Sequence, residues 1–298
     1  MGQAFTTKIQ FDDTDDIIDI CLDNVFKAVF TRDTPESQGA LSRLISTLIG
    51  YEISTIAISA NEPPIDNLRD RQIRYDISCK TADGEIINVE MSFNPDAFEP
   101  VRLEFHAGKL FTGQDIRGAT KSYKDLKRAY QIAILAKESF FQDKVFLHAF
   151  EYYDPANQVS LNGRSRIITL ELSKMDIIVD KPTEDMSAAE HWAIFFRYLT
   201  DKTKRRKINE IIESEEGIAM ASEVLITISK DEVERARLRS EEKYQLDTQS
   251  KMTYAREEGM QQGMQQGMQQ GMQQGRREII DLLRSGKSAD EILRDFSK

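Results

Sequence analysis

Residues 72–93 read QIRYDISCKTADGEIINVEMSF, two alternating runs on either side of Asp83-Gly84. In the first run Ile73, Tyr75, Ile77 and Cys79 share one face of a strand, leaving Arg74, Asp76, Ser78 and Lys80 on the other. In the second, Ile87, Val89, Met91 and Phe93 oppose Ile86, Asn88, Glu90 and Ser92. A hairpin that brings both apolar sets to one side needs paired residue numbers with an even sum, which excludes a two-residue turn at Asp83-Gly84. The three-residue loop Ala82-Asp83-Gly84, with the glycine left-handed at the bulge position, satisfies this with a sum of 166.

That register sets Asp76 across from Glu90 and Arg74 across from Ser92. Two facing carboxylates repel, at roughly 0.2–1 kcal/mol when exposed and more when shielded from water. One resolution is a pair of solvent-facing acids neutralised by Arg74 or Lys80. The other is a hard divalent cation. Mg²⁺, or Mn²⁺, takes oxygen ligands from one or two carboxylates and fills its remaining positions with water and substrate phosphate, which suits this pair better than zinc does. The residues alone leave both resolutions open.

Working outward, DNVFKAVF (Asp23–Phe30) sets Val25, Phe26, Val29 and Phe30 at helical spacing behind an Asp23 cap. Thr34-Pro35-Glu36 supplies a cap, a first-turn proline and an early acid for a helix striped by Leu41, Leu44, Ile45, Leu48 and Ile49 and stopped at Gly50. Glu52–Ser59 alternates as a strand. Beyond the hairpin, a helical stretch is expected from Val101 to about Glu138, broken near Gly113–Gly118, its second half striped by Tyr123, Leu126, Tyr130 and Leu135. KVFLHAFEYY and RIITLELSK read as strands, and helices resume at Ala188, with Trp192 as a core anchor. The order describes a mixed α/β layer domain over residues 17–230, behind an acidic segment at residues 1–16.

Residues 231–258 carry dense charge of both signs and read as a helical connector. GMQQ then repeats four times from Gly259 to Gln274 within a segment 259–275. Its period of four drifts about 40° per repeat around an α-helix, and each interior glycine costs about 1 kcal/mol relative to alanine. The repeat is either a flexible spacer or a helix whose small residues and adaptable methionines drive self-association into a homo-oligomer. Arg276–Arg284 and Ser288–Phe296 read as a helical hairpin over residues 276–298, with Gly286 as the stop.

Composition narrows the function classes. With 298 residues, 40% hydrophobic and 30% charged, the chain can bury a real core. Cys21 and Cys79 are too few for a disulfide framework, a thiolate zinc cluster or an iron–sulfur site, and His106, His148 and His191 share no ligand spacing. No apolar run nears the ~18 residues of a membrane span, and the opening MGQAFTTKIQFDDTDD lacks the order of a signal peptide, so no membrane partner and a cytoplasmic location are expected. The net charge of −10 argues against whole-surface attraction to nucleic acid. A local basic cluster, Lys202, Lys204, Arg205, Arg206 and Lys207, either neutralises DNA phosphates or solvates a helix end.

Five segments in order carry a resemblance: DNVFKAVF (Asp23–Phe30), YDISCKTADGEIINVEMS (Tyr75–Ser92), RLEFHAGKLFTGQ (Arg102–Gln114), SYKDLKRAYQIAIL (Ser122–Leu135) and TLELSK (Thr169–Lys174). Together they resemble the PD-(D/E)XK nuclease fold, and within it the bacterial recombination-promoting nuclease and putative transposase family. The resemblance implies a restriction-endonuclease-like mixed central sheet flanked by helices, with an extended helical C-terminal tail. It also implies metal-dependent cleavage of DNA, with Asp76 and Glu90 as ligands of Mg²⁺ or Mn²⁺. The broader fold carries Lys two residues after the Glu and this family often Gln, whereas this chain has Ser92. A hydroxyl brings no charge to a developing phosphorane oxygen. Arg74, across from Ser92, is one replacement; Lys109, on one helical face with Arg102 and His106, is another, against the alternative of a solvated face. Gln114 is family-like and either contacts water or phosphate or serves the surface as a cap. Lys27 is family-like too, with no chemistry beyond a snorkelling stem. Ser92 also keeps open a second reading, a catalytically degenerate DNA-binding or scaffold protein assembled through its tail.

Overall fold

The computed structural model describes residues 9–53, 56–59, 75–116, 121–286 and 288. Two helices lead into its sheet. The first, α1 (Asp23–Phe30), buries Val25, Phe26, Val29 and Phe30 as their spacing predicts. Its cap differs from expectation: Leu22 holds the cap position, and Asp23 sits in the first turn, where its carboxylate reaches Lys27 one turn on. In α2 (Pro35–Ile49) Thr34 accepts a hydrogen bond from the Ser37 N–H at 3.2 Å, and Gly50, at φ +84°, ends the helix in the left-handed conformation that glycine adopts without a Cβ penalty.

The sheet has strand order β1-β2-β3-β4-β8-β5. Its strands are β1 (Ile56–Ile58), β2 (Ile77–Thr81), β3 (Ile86–Ser92), β4 (Ala129–Leu135), β5 (Leu147–Phe150) and β8 (Ser165–Glu171), while β6 (Tyr153–Asp154) and β7 (Val159–Ser160) form a separate ribbon. The β2–β3 hairpin has the expected register: Ile77 pairs with Val89 and Cys79 with Ile87, each summing to 166. Gly84 is left-handed at φ +82° in the loop that Thr81 and Glu85 close. β3, β4 and β8 run parallel, and β5 returns antiparallel on β8.

One face of the sheet packs Ile87, Val89, Tyr130, Ile132, Ile134, Ile168 and Leu170 into the main core with α1, α2 and α4 (Ala188–Tyr198). There Trp192 stacks on Phe196 at 5.6 Å between ring centroids and meets Phe30 at 6.1 Å. α5 (Arg205–Ser214) and α6 (Glu216–Lys230) close this layer, with Ile208, Ile211 and Leu225 in the same core. The other face is covered by α3 (Glu99–Thr112), whose Leu103 packs with Ala133 and Leu135.

β4 corrects the expected second half of a long helix. The helix ends at Thr112, and Ala129–Leu135 is a strand paired on both sides and buried at all seven positions. A parallel strand covered on both faces has no polar side to alternate with, so its apolar run carries no period of two.

The chain divides into units Met1–Arg239 and Ser240–Lys298. α7 (Glu232–Arg284) is 53 residues long. In the first unit its opening turns bury Leu238, whose carbonyl accepts from Asn24 Nδ2 at 2.6 Å, and pair Arg235 with Asp16. In the second unit the GMQQ repeats are helical, with Met260, Met264, Met268 and Met272 exposed, and Gly286 terminates the segment at φ +91°. The helix expected at Ser288–Phe296 lies outside the described residues apart from Ser288. Among the described residues no helix is long and apolar enough to cross a membrane.

Candidate active site

Because β3 alternates, its odd residues enter the core and its even ones, Asn88 and Glu90, face α3. Glu90 is only 2% exposed. Its Oε1 lies 2.7 Å from His106 Nδ1 and accepts from Asn88 Nδ2 at 2.9 Å, while an Arg102 nitrogen stands 3.6 Å from Oε2. Burial raises the pKa of Glu90, but the His106 hydrogen bond, the charges of His106 and Arg102 and the Asn88 amide outweigh it, and the net shift is downward. Oε2 has no hydrogen-bond partner among the described residues.

Asp76 sits one residue before the regular pairing of β2 begins. Its Oδ2 accepts from the Met91 N–H at 3.1 Å, which brings its carboxylate to the end of β3 beside Glu90. Its Oδ1 meets Lys27 Nζ at 3.0 Å, and the same ammonium reaches Asp23 Oδ1 at 2.8 Å. Burial, the charge of Asp23 and a smaller contribution from Glu90 push Asp76 up to about 7, against the pull of Lys27. The two acids therefore differ in kind: Glu90 is held ionised by donors, and Asp76 ionises reluctantly. A second layer supports them. Asn88 Nδ2 also donates to Gln131 Oε1 at 2.9 Å on β4, and Tyr75 meets the His106 ring edge-on at 5.8 Å. Burial and the Glu90 charge push the Tyr75 phenol up to about 12.

Asp76, Glu90 and Arg102 thus come together, and His106 with them. Ser92 ends β3 opposite Leu135; its carbonyl accepts from Ala136 N at 2.9 Å, and its hydroxyl makes no hydrogen bond among the described residues. Arg74 lies outside the described residues. Lys109 is exposed, with Nζ 6.0 Å from the Phe105 ring centroid, and makes no ion pair with either acid among the described residues. Gln114 clamps the chain entering β4: its Nε2 donates to the Lys127 carbonyl at 3.0 Å and its Oε1 accepts from Lys127 N at 2.8 Å.

The basic cluster disperses. Arg205 is 4% exposed, its guanidinium bound to the carbonyls of Leu199 and Asp15 and lying over Phe11, so it serves the fold rather than a phosphate. Lys204 pairs with Asp180, and Arg206 stands out in solvent beside Glu210.

Among the described residues no three His, Cys, Asp or Glu side chains converge on a point that would hold a metal. Two carboxylates are nevertheless the donor set that Mg²⁺ and Mn²⁺ use when water and phosphate complete their coordination. Oε2 of Glu90, without a hydrogen bond among the described residues, and the raised pKa of Asp76 both suit such a cation. The apolar cavity of about 300 Å³ beside α3 is walled by Leu103, Ala107, Phe140 and Phe150 rather than by Arg102 and His106, and takes no part in this arrangement.

The six-stranded mixed sheet and its flanking helices make a restriction-endonuclease-like α/β fold. Residues 20–255 match the family of PD-(D/E)XK nuclease family transposases, and the chain belongs to that family. Comparison with curated proteins and with solved structures gives no match. Membership supports a nuclease or transposase-like role.

Sequence reasoning singled out Lys27 without finding its contact with Asp76, and passed over the Asn88–Gln131 pair. The signal for the first was Asp23 and Lys27 at i, i+4 beside the apolar stripe of α1; for the second, two amides set inside otherwise apolar runs.

Proposed function

We propose that the protein is a metal-dependent DNA endonuclease acting in recombination or transposition, with Asp76 and Glu90 as ligands of Mg²⁺ or Mn²⁺. The observation that carries the reading is the acid pair itself: a buried Glu90 with one oxygen that lacks a hydrogen bond among the described residues, beside an Asp76 whose ionisation is disfavoured. A bound divalent ion would supply Lewis-acid polarisation of the phosphoryl oxygen and a lowered pKa for the attacking water. His106 and Asn88 fix the orientation of the Glu90 carboxylate, as donors behind a ligand do, and Arg102 offsets its charge. Hydrolysis forms a bond from a water oxygen to phosphorus and breaks the bond from phosphorus to one ester oxygen. One of the water's protons ends on the departing alcohol, and the other stays on the phosphate monoester or passes to solvent. Of the residues expected to bind DNA, Arg206 keeps an exposed cation for phosphate and Arg102 borders the acids; Lys109, expected as a replacement for the missing lysine, is exposed as well. The tail joins copies of the chain through its Gly and Met stripes.

Ser92 favours a second reading, a DNA-binding scaffold of the same fold without catalysis. Purified protein with supercoiled and linear DNA, Mg²⁺ or Mn²⁺ against chelator, beside Asp76→Ala and Glu90→Ala, separates them. Metal-dependent cleavage that disappears in both variants is the expected result. Folded protein that binds DNA and never cuts it establishes the scaffold.

A further inference from the structure

We propose that Lys27 is the catalytic cation of this site, the ammonium group that meets the scissile phosphate in place of the lysine missing at position 92. The inference rests on the nuclease reading and deepens it.

α1 presents Lys27 rigidly. Phe26 and Phe30 are fully buried, Phe26 against Phe196 at 6.2 Å and Phe30 against Trp192 at 6.1 Å, so the helix cannot turn about its axis without exposing them. The intervening Lys27 leaves on the flank that faces the hairpin, with Nζ 3.0 Å from Asp76 Oδ1 and 2.8 Å from Asp23 Oδ1. Its side chain keeps 33% of its surface exposed while its ammonium touches Asp76. Among the described residues, Arg102 is held by Glu99 and Glu90, and Lys137 lies over Phe93 at 4.1 Å.

Asp23, Asp76 and Glu90 bring three carboxylates to this corner, and a phosphodiester adds further negative charge. That charge grows on the phosphoryl oxygens as the attacking water bonds to phosphorus, and a fixed cation there is worth most in the transition state. The ammonium has three donors, enough for Asp23, Asp76 and one phosphate oxygen together. Asp23, on the same helix, keeps Lys27 at the site when Asp76 takes another partner. Lys27 acts by charge and retains its protons, so the hydrolysis described above stays balanced.

The test uses the full chain with Lys27→Gln, Lys27→Arg and Lys27→Cys, the last alkylated with 2-bromoethylamine to restore an ammonium at nearly the lysine position. Cys21 and Cys79 are buried and shielded from the reagent. Single-turnover cleavage by Lys27→Gln should fall about 10²–10³-fold. Its DNA affinity in chelator should fall by less than about tenfold, the loss of one phosphate contact. Calorimetry with Mn²⁺ alone should show binding at least as tight as wild type, because no ammonium competes for Asp76 Oδ1. Alkylation of Lys27→Cys should restore most of the lost rate, which ties the loss to the missing ammonium, while the Mn²⁺ calorimetry separates a catalytic from a positioning role. Wild type that cleaves together with a Gln variant that cleaves within about threefold of it overturns the inference and leaves the nuclease reading standing. Loss of Mn²⁺ binding in parallel with cleavage also overturns it, because Lys27 then only positions Asp76. Wild type that fails to cleave with either metal overturns the nuclease reading itself, and the inference with it.

Discussion

Replacing Asp76 by asparagine should stabilise the metal-free protein at pH 8 relative to pH 5, although the same change removes a proposed metal ligand. Asp76 titrates near 3.8 when unfolded and at about 7 in the fold, because burial and the charge of Asp23 disfavour its carboxylate. Between those values the native state holds more protons than the unfolded state, so this group's contribution to stability declines as pH rises from about 4 to about 7. The full shift corresponds to about 4 kcal/mol, and the part falling between pH 5 and pH 8 to about 2–3 kcal/mol. The carboxamide of the Asp76→Asn variant does not titrate. It can keep the hydrogen bond from Met91 N, while its amide hydrogens face Lys27, a fixed cost present at both pH values. Comparing the two pH values cancels that cost. Urea unfolding in chelator, followed by the fluorescence of the single, buried Trp192, should therefore show the Asn variant gaining about 2 kcal/mol on wild type between pH 5 and pH 8, or roughly 4–8 °C in Tm. A variant-minus-wild-type difference that is flat across this range, or that falls with pH, refutes the reasoning that the site is strained by its own charge.

Two further expectations concern the frame around the site. Glu171 is fully buried, pairs with Lys174 and accepts from Ser139 Oγ at 3.1 Å and from the N–H groups of Phe140 and Phe141 at 2.6 and 3.3 Å. Lys174→Met should cost about 3–5 kcal/mol in urea unfolding by stranding that carboxylate, and adding Glu171→Gln should recover part of the loss. Truncation after Arg239 keeps the buried Leu238, so the urea midpoint of the remaining domain should hold, while light scattering should show the mass of a single truncated chain. An unchanged oligomer would remove the tail as the joining element.

How far the residues alone reached depended on how local each feature was. α2 was legible because Thr34, Pro35 and Gly50 mark its ends through short-range hydrogen bonding and backbone conformation. Ala129–Leu135 was not, since burial on both faces comes from neighbours distant in sequence. Glu90 was found as a facing acid, but its donors His106 and Arg102 reach it only because α3 lies across that side of the sheet.

The sequence by itself determined the hairpin. A period of two and a left-handed glycine fix its register, and the register fixes which face carries Asn88 and Glu90. Tertiary structure decided the electrostatics. It brought α1 against the end of β2, so that Lys27 and Asp23 meet Asp76, and it aligned β4 beside β3, so that Gln131 meets Asn88. Alternation along a strand is a local property of the backbone, whereas the charge around a buried carboxylate is summed over whatever the packed core brings within reach.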